Sequence, residues 1–346
     1  MRKKVVVAMS GGVDSSLTAA ILQYRGFEVV GVTMRLDESG GCCDIADAQA
    51  IAEYLGIEYQ VADYRKFFHD TVEKYFVEEY LSGRTPNPCV RCNREVKFGK
   101  LFEFADFIGA DFLATGHYAR VVTEGGRVQL KRAVDERKDQ SYVLYNLTAE
   151  KLSRIIFPLG ELTKSETREL AERLRLPVAH KPDSQEVCFV PNDDYKNFLQ
   201  SAEPNAEALQ SGEIVDASGK VLGSHSGVAN YTIGQRRGLG IAAEHPLYVT
   251  GLNVARRQII VGSSEKLFSK RLTAEDAHWI YKPQLPRTLH AKIRYGSRLA
   301  ECTVAEDEKK LRLNFAEPQR AITPGQSVVF YDGEEVLGGA IISCDK

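Results

Sequence analysis

The first third of the chain alternates short, unbroken apolar runs with stretches of helical period. Lys4 to Met9, Phe27 to Met34 and Ile57 to Ala62 read as strands. Leu17 to Leu22 lies in one amphipathic helix, and Asp44 to Leu55 forms a second, closed by Gly56. This βαβαβ order predicts a parallel sheet with helices on both faces, and Phe112 to Thr115 reads as a further strand of it. Ligands of such open sheets bind beyond the carboxyl ends of the strands. That rule brings Ser10–Ser16, the residues near Met34, and Gly116-His117-Tyr118 to one rim.

Farther along, the aromatic residues of Tyr64 to Leu81 recur at helical spacing and read as a packing stripe. Pro86 and Pro88 forbid regular structure in the stretch from Gly83 to Asn93. Asn93 then reads as the cap of a helix running to about Ile108, which puts Cys92 beside a helix N-terminus, where the dipole lowers a thiol pKa. A hairpin turns at Gly125-Gly126, Asp139 to Tyr142 opens another helical segment, and Thr163-Lys164-Ser165-Glu166 starts a helix with a capping box.

Past Pro191 helical periodicity fades after the Asp193–Leu199 segment, and Gly-rich hairpin signals and alternating β-patterned runs take over. Tyr248 to Leu252, Gln258 to Val261, His290 to Tyr295, Ser327 to Tyr331 and Gly338 to Ile342 read as strands of a small β-barrel. The expected division is an α/β catalytic domain over 1–193, a small central domain over 194–246, and a C-terminal barrel over 247–346. Cys302 and Cys344, both in β-patterned sequence, read as packed core thiols.

Composition narrows the class. The chain has 346 residues, enough for two or three domains, and is 43% hydrophobic and 27% charged, as soluble proteins with real cores are. No apolar run reaches the length of a membrane span and the N-terminus enters a strand directly, so a cytoplasmic location is expected. Seven cysteines, an odd number, argue against a disulfide framework and for core, metal-binding or catalytic thiols. A net charge of −2 excludes a uniformly basic coat but not a local patch; Lys131-Arg132, Arg137-Lys138, Arg236-Arg237 and Arg256-Arg257 are candidates.

The chemistry begins at Ser10-Gly11-Gly12-Val13-Asp14-Ser15-Ser16, between the first strand and the first helix. A glycine turn opening on a hydroxyl-rich helix N-terminus holds phosphate through converging N–H groups and the helix dipole. The loop lacks the lysine of a Walker A motif and carries Asp14 instead, whose charge tolerates phosphate when a Mg²⁺ ion bridges them. It resembles the pyrophosphate loop of the N-type ATP pyrophosphatases, which cleave ATP between the α- and β-phosphates and adenylate a substrate.

Further along, Cys89 and Cys92 form a CxxC, and Cys188 precedes Phe189. A lone CxxC fits half of a zinc knuckle, a redox pair or coincidence, and the chain has no second one. Alongside the loop, Gly83 to Pro88 with Cys92-Asn93, Ala114 to Ala119, Lys138 to Tyr142, Cys188-Phe189, Gly234 to Gly240 and Thr323 to Gln326 occur in order. Together they resemble the bacterial tRNA-specific 2-thiouridylases over nearly the full chain. The resemblance implies an adenine nucleotide α-hydrolase-like sheet and a reaction on the wobble uridine of tRNAs for Lys, Glu and Gln. ATP adenylates the 2-carbonyl oxygen with loss of pyrophosphate, and persulfide sulfur then displaces AMP.

On the same footing, Ala8, Met9, Ser10, Gly11, Gly12, Val13, Asp14 and Ser15 bind ATP, with Met34 and Gly116 bordering it. Cys188 carries the persulfide and Cys92 is the partner thiol that resolves it, leaving a disulfide. His117, Lys138, Asp139, Gln140, Arg294, Tyr295 and Gln326 match tRNA contacts. A cysteine desulfurase or sulfur-relay protein is the implied sulfur donor. Asn87-Pro88-Cys89 occupies the segment that faces the target base, and Cys89 departs from the aspartate common there. Cys89, Cys92 and Cys188 also have the ligand count of a three-cysteine [4Fe–4S] site, an alternative route to the same product.

Two other readings compete. Another pyrophosphate-loop adenylating enzyme would direct a nitrogen nucleophile at the adenylate and need no loop cysteines. A non-catalytic RNA-binding protein could retain the nucleotide fold, but the intact Ser10–Ser16 loop counts against it.

Overall fold

The computed structural model describes residues 2–37, 44–182 and 187–344. The parallel sheet is formed by β1 (Lys4–Ala8), β2 (Glu28–Arg35), β3 (Glu58–Asp63), β4 (Phe112–Ala114) and, beyond an intervening hairpin, a two-residue strand at Ile155–Ile156. Its order is β3-β2-β1-β4 with Ile155–Ile156 at the far edge, and every pairing in it is parallel. Val5, Val6 and Val7 are fully buried, which explains why the first strand reads as an unbroken apolar run. Strand order reverses between β1 and β4, so the Gly-rich loop after β1 and Gly116 after β4 flank the switch point, where such sheets bind ligands.

Helix α1 (Val13–Tyr24) follows the loop directly, and α2 (Ile45–Leu55) has Asp44 as its cap and Gly56 in the left-handed conformation at its end. The aromatic stripe packs as expected: Phe76 meets Phe189 edge-on at 5.3 Å and Phe198 at 6.0 Å, and Tyr80 stacks on Tyr195 at 4.9 Å. Downstream, the capping box at Thr163 and Glu166 starts the helix Lys164–Arg173. The segment after Asp139 forms only a short 3₁₀ turn, Ser141–Val143.

The cysteine-bearing helix begins earlier than its sequence predicts. Asn87, not Asn93, caps it: Cys89 N–H donates to Asn87 Oδ1 at 3.1 Å, with Pro88 in the first turn. The helix Pro88–Cys92 continues as a π-helical stretch, Asn93–Lys100, and then as Leu101–Phe107. Asn93 is buried within it and donates to the Val143 carbonyl at 3.0 Å. Pro88 starts this helix rather than breaking it because a first-turn proline lacks only an N–H that would be unpaired anyway.

A hairpin, β5 (Ala119–Glu124) and β6 (Arg127–Arg132), leaves the α/β domain and pairs with the barrel at Lys131 and Glu335. Taking the edge strand Ile155–Ile156 as β7, the central sheet consists of β8 (Gly212–Val215), β9 (Val221–His225), β10 (Tyr248–Asn253) and β11 (Gln258–Gly262). Its order is β10-β11-β8-β9. The hairpin of β10 and β11, read in sequence as the opening of the barrel, therefore belongs to the middle of the chain. Val249, Ile259 and Val261 bury their side chains with Ile214, Tyr231 and Leu239, and that shared core fixes the pairing.

The barrel comprises β12 (Phe268–Trp279), β13 (Arg287–Lys292), β14 (Ala300–Asp307), β15 (Lys310–Arg320), β16 (Ser327–Asp332) and β17 (Glu335–Ile342). It closes through β12–β17 pairing. Leu289, Cys302, Leu311, Leu313, Phe315 and Phe330 fill its interior. Cys302 is a core thiol as expected, whereas Cys344 lies past the last strand and is exposed. Among the described residues no helix is long and apolar enough to cross a membrane.

Candidate active site

The loop is shaped by contacts that only glycine permits. Gly11 has φ +75°, and a β-carbon there would lie 2.5 Å from the Asp44 carbonyl oxygen. A β-carbon on Gly116 would lie 2.8 Å from the Asp14 carbonyl carbon and 3.0 Å from Ser15 N, so the end of β4 presses directly on the loop. Ser15 Oγ accepts from Ser10 N–H at 3.1 Å and donates to the Gly12 carbonyl at 3.1 Å, tying the turn to the helix. The N-cap of α1 is Gly12, which has no side chain to bond the first-turn N–H groups. Met9 and Val13 are buried, and Ala8 is half-buried, so these residues shape the site through their backbone. Met34 is buried at the end of β2 in the main core.

Asp14 is held by residues distant in sequence. Lys164 Nζ donates to its two carboxylate oxygens at 2.7 and 2.9 Å, and Tyr118 OH donates to Oδ1 at 3.0 Å. Tyr118 OH also lies 3.0 Å from Thr167 Oγ1, so the helix Lys164–Arg173 is bolted to the loop at two points. The loop that lacks an internal lysine receives one from the first position of another helix. The capping-box spacing placed that helix in the sequence but not its lysine at the loop.

Beyond Gly116 the rim leads to the cysteines. The His117 ring sits 5.9 Å from those of Phe98 and Phe157, and its Nδ1 is 2.7 Å from Thr115 Oγ1. Burial, with a smaller contribution from Lys97, holds His117 well below the ordinary histidine range, so the ring is neutral. Phe98 and Lys97 belong to the π-helical stretch that continues from Cys92. Its i→i+5 bonding brings residue 97 back over residue 92.

Cys89, Cys92 and Cys188 lie within electrostatic reach of one another, with Lys97 the cation that acts on Cys89 and Cys92. Cys92 is buried, Cys188 is half-buried and Cys89 is accessible from solvent. The expectation of a dipole-acidified Cys92 is corrected. Cys92 closes the first helical segment rather than opening a helix, and burial pushes its thiol up to about 12, against a smaller lowering by Lys97. Cys89, although exposed, is also raised by desolvation. Among the described residues no group of three or more His, Cys, Asp or Glu side chains is arranged to hold a metal ion. The [4Fe–4S] ligand set that their count suggested is therefore not favoured. Cys42 and Cys43, and Asp183 to Glu186 beside Cys188, lie outside the described residues.

The barrel and central domain meet this site at the loop before Cys89. Thr85 N–H donates to the Pro324 carbonyl at 2.9 Å, Gln326 Nε2 donates to the Thr85 carbonyl at 2.9 Å, and Thr85 Oγ1 donates to Thr232 Oγ1 at 3.2 Å. Tyr295 is exposed, meets Tyr142 edge-on at 6.0 Å and lies within electrostatic reach of Cys89. Arg294, half-buried, donates to barrel carbonyls. Several other residues matched to RNA contacts are turned inward. The Asp139 carboxylate accepts from Ala133 N–H at 3.1 Å and Ser141 Oγ at 3.0 Å, with Lys292 Nζ at 3.4 Å. Gln140 Oε1 accepts from Tyr118 N–H at 2.9 Å, and His117 is buried, while Lys138 is half-buried.

Three family profiles cover this architecture: a tRNA methyl transferase HUP domain over residues 3–192, a tRNA methyl transferase PRC-barrel domain over 196–263 and an aminomethyltransferase beta-barrel domain over 269–342. Full-length relatives carry a different activity name. A tRNA-specific 2-thiouridylase MnmA of Carboxydothermus hydrogenoformans is 49% identical over 99% of this chain and 98% of its own. Proteins of the same name from Desulfitobacterium hafniense and Geobacter metallireducens are 46% and 49% identical, each over 99% of this chain and 98% and 97% of their own lengths. A phosphate loop adjoining paired thiols accords with the second name. The chain belongs to the tRNA-specific 2-thiouridylase family.

Proposed function

We propose that this protein thiolates position 2 of a tRNA wobble uridine, using ATP to activate the carbonyl and a cysteine persulfide to deliver sulfur. The observation that carries this reading is the continuity of the rim: Gly116 packs on the phosphate loop, and His117 packs beside the helical stretch that bears Cys92 and Lys97.

A urea-like carbonyl carbon is a poor electrophile, and converting its oxygen to an adenylate supplies a leaving group. Uracil O2 attacks the α-phosphorus of ATP, the bond to the β-phosphate breaks, and pyrophosphate departs. The backbone donors of Gly11 to Ser15 hold the phosphates, and Lys164 offsets their charge. Asp14 supplies one carboxylate. A Mg²⁺ ion, which takes one or two carboxylates and completes its shell with phosphate oxygens and water, fits that donor set. Such an ion would neutralise developing charge on the phosphates.

Sulfur transfer then needs two thiols. Cys188, half-buried beside the anchored Phe189, carries the persulfide received from a cysteine desulfurase or a sulfur-relay protein. Its terminal sulfur bonds to C2, and AMP leaves with the former carbonyl oxygen. Cys92 thiolate attacks the Cys188 sulfur, the persulfide S–S bond breaks, and C2=S forms together with a Cys92–Cys188 disulfide. A thiol reductant returns both cysteines to thiols. A neutral, buried Cys92 with Lys97 beside it stays protonated at rest and gains its anionic form at the protein's own cation. Cys89, where the family resemblance implies an aspartate, leaves Tyr295 and the Asn87 cap as the polar surroundings of the target base.

The test is pyrophosphate release from ATP with unmodified tRNA Lys, Glu or Gln transcripts. Release that depends on tRNA and survives Cys92→Ser and Cys188→Ser, with thiolation lost in both, supports adenylation followed by sulfur transfer. Release without tRNA dependence would overturn it.

A further inference from the structure

Many arginines of this protein are neutralised: Arg65 pairs with Asp63, Arg154 with Asp106, Arg287 with Asp332 and Arg312 with Asp307. Arg236, Arg237, Arg294 and Arg320 are among those that form no ion pair with the described residues. They are also brought together. Arg294 Nη2 donates to the Arg320 and Ala321 carbonyls at 2.8 and 2.7 Å. A β-carbon on Gly234 would lie 2.8 Å from Ala321 Cβ and 3.9 Å from Arg320 Nη1, so the loop leading to Arg236-Arg237 is laid against the barrel beside that guanidinium. Gly234, Gly238 and Gly240, with φ of +90°, +75° and +66°, give the loop the path that presses it there. Arg236, Arg237 and Arg320 are exposed, and Arg320 stands 5.4 Å over the Tyr248 ring.

Holding like charges together without a carboxylate costs free energy unless an anion completes the arrangement. Burial and Arg320 together already depress Arg294 below the ordinary guanidinium range. The cations are strung along three separate elements of an open seam, which suits spaced phosphates better than one compact anion. The seam also ends at the thiol site: Tyr295 follows Arg294, and Thr232, two residues before Gly234, contacts Thr85.

We infer that the seam of Arg236, Arg237 and Arg320, between the central domain and the barrel, is a phosphodiester track that carries the RNA backbone into the site beside Cys89. The inference rests on the tRNA reading above and assigns to it three arginines and a domain junction. RNA seated there contacts the central domain and the barrel at once, with exposed Tyr295 as an aromatic face for an unstacked base.

The experiment is binding of an unmodified tRNA transcript by fluorescence anisotropy from 50 to 300 mM KCl, roughly the range over which counterion release is read. Arg236→Gln/Arg237→Gln and Arg320→Gln should each weaken binding several-fold and flatten the slope of log K against log salt by about 0.7 to 1 per lost contact. Arg236→Lys/Arg237→Lys should recover most of the slope, because a phosphate accepts a point charge. Arg287→Gln, which removes a neutralised barrel arginine, should change neither. Wild-type slopes in both Gln variants, or an equal loss in Arg287→Gln, would overturn the inference. A wild-type protein that binds tRNA with these slopes but forms no 2-thiouridine would sink the activity and leave the seam standing.

Discussion

Lys164 Nζ lies 2.7 and 2.9 Å from the two carboxylate oxygens of Asp14, although 150 positions separate the residues. The pair puts a cation and an anion side by side at the N-terminal turn of α1. Lys164→Met is expected to lower tRNA-dependent pyrophosphate release about 10²-fold, the scale for losing one preorganised charge at a reacting phosphate. Tyr118→Phe, which removes one hydrogen bond to Asp14, should cost about 1 kcal/mol, or several-fold. Steady-state kinetics with coupled pyrophosphate detection separate the two.

Lys97 and Cys92 give a second, independent expectation. Burial holds the Cys92 thiol near about 12, and Lys97 acts against that shift. Lys97→Met should therefore slow thiol alkylation of Cys92 further at pH 8 and slow thiolation, while pyrophosphate release stays near wild type. The sign follows from the thiolate: a higher pKa leaves less of it at any pH below that value. Peptide mapping after timed iodoacetamide exposure reads the thiol directly, and a faster-reacting Cys92 in the variant would be inconsistent with the assignment.

The buried ion pair between Asp139 and Lys292 joins the α/β domain to the barrel. The Asp139 carboxylate is fully buried and Lys292 nearly so, with Nζ 3.4 Å from Oδ2. Lys292→Met should destabilise the protein by about 1.5–3 kcal/mol, because it removes one of the two cations on a buried carboxylate and leaves Arg132 at 3.6 Å as the other. Adding Asp139→Asn should recover part of that loss. A thermal-melt cycle over the four proteins measures the coupling, and additive losses would mean the pair is not coupled.

His117, with His225 and His278, makes stability fall in acid, because burial lowers all three. The folded pKa of His117 lies well below 6.5, so as pH falls through 6.5 the unfolded chain takes up a proton that the folded chain refuses. This group should lower stability by about 1.4 kcal/mol per pH unit in that window until the folded value is reached. Urea denaturation from pH 7.5 to 5 should show a shallower loss in His117→Asn than in wild type.

These relationships differ in how far they can be read along the chain. The phosphate loop was legible because strand, glycines and helix are contiguous, and the parallel α/β sheet followed from alternating periods, although its strand order did not. Lys164 was not, since its approach to Asp14 depends on where topology sends a later helix. Lys97 was hidden for a local reason: α-helical spacing turns residue 97 away from Cys92, and the π-helical stretch turns it back. The same run led to the wrong cap, because Asn93 has capping chemistry but Asn87 has the geometry. β14 was legible only as β-patterned sequence around Cys302 and β15 was not named, although both alternate charged residues outward with Cys302, Val304, Leu311, Leu313 and Phe315 inward. The β10–β11 hairpin was read as a hairpin correctly, but pattern alone does not say which sheet it joins.

The most direct test of the account is nucleoside mass spectrometry after incubation with ATP, Mg²⁺, a persulfide donor and unmodified tRNA. Wild-type protein should produce 2-thiouridine at the wobble position, and Cys188→Ser and Cys92→Ser should each reduce it to background. No 2-thiouridine from the wild type, or undiminished 2-thiouridine from both cysteine variants, would contradict it.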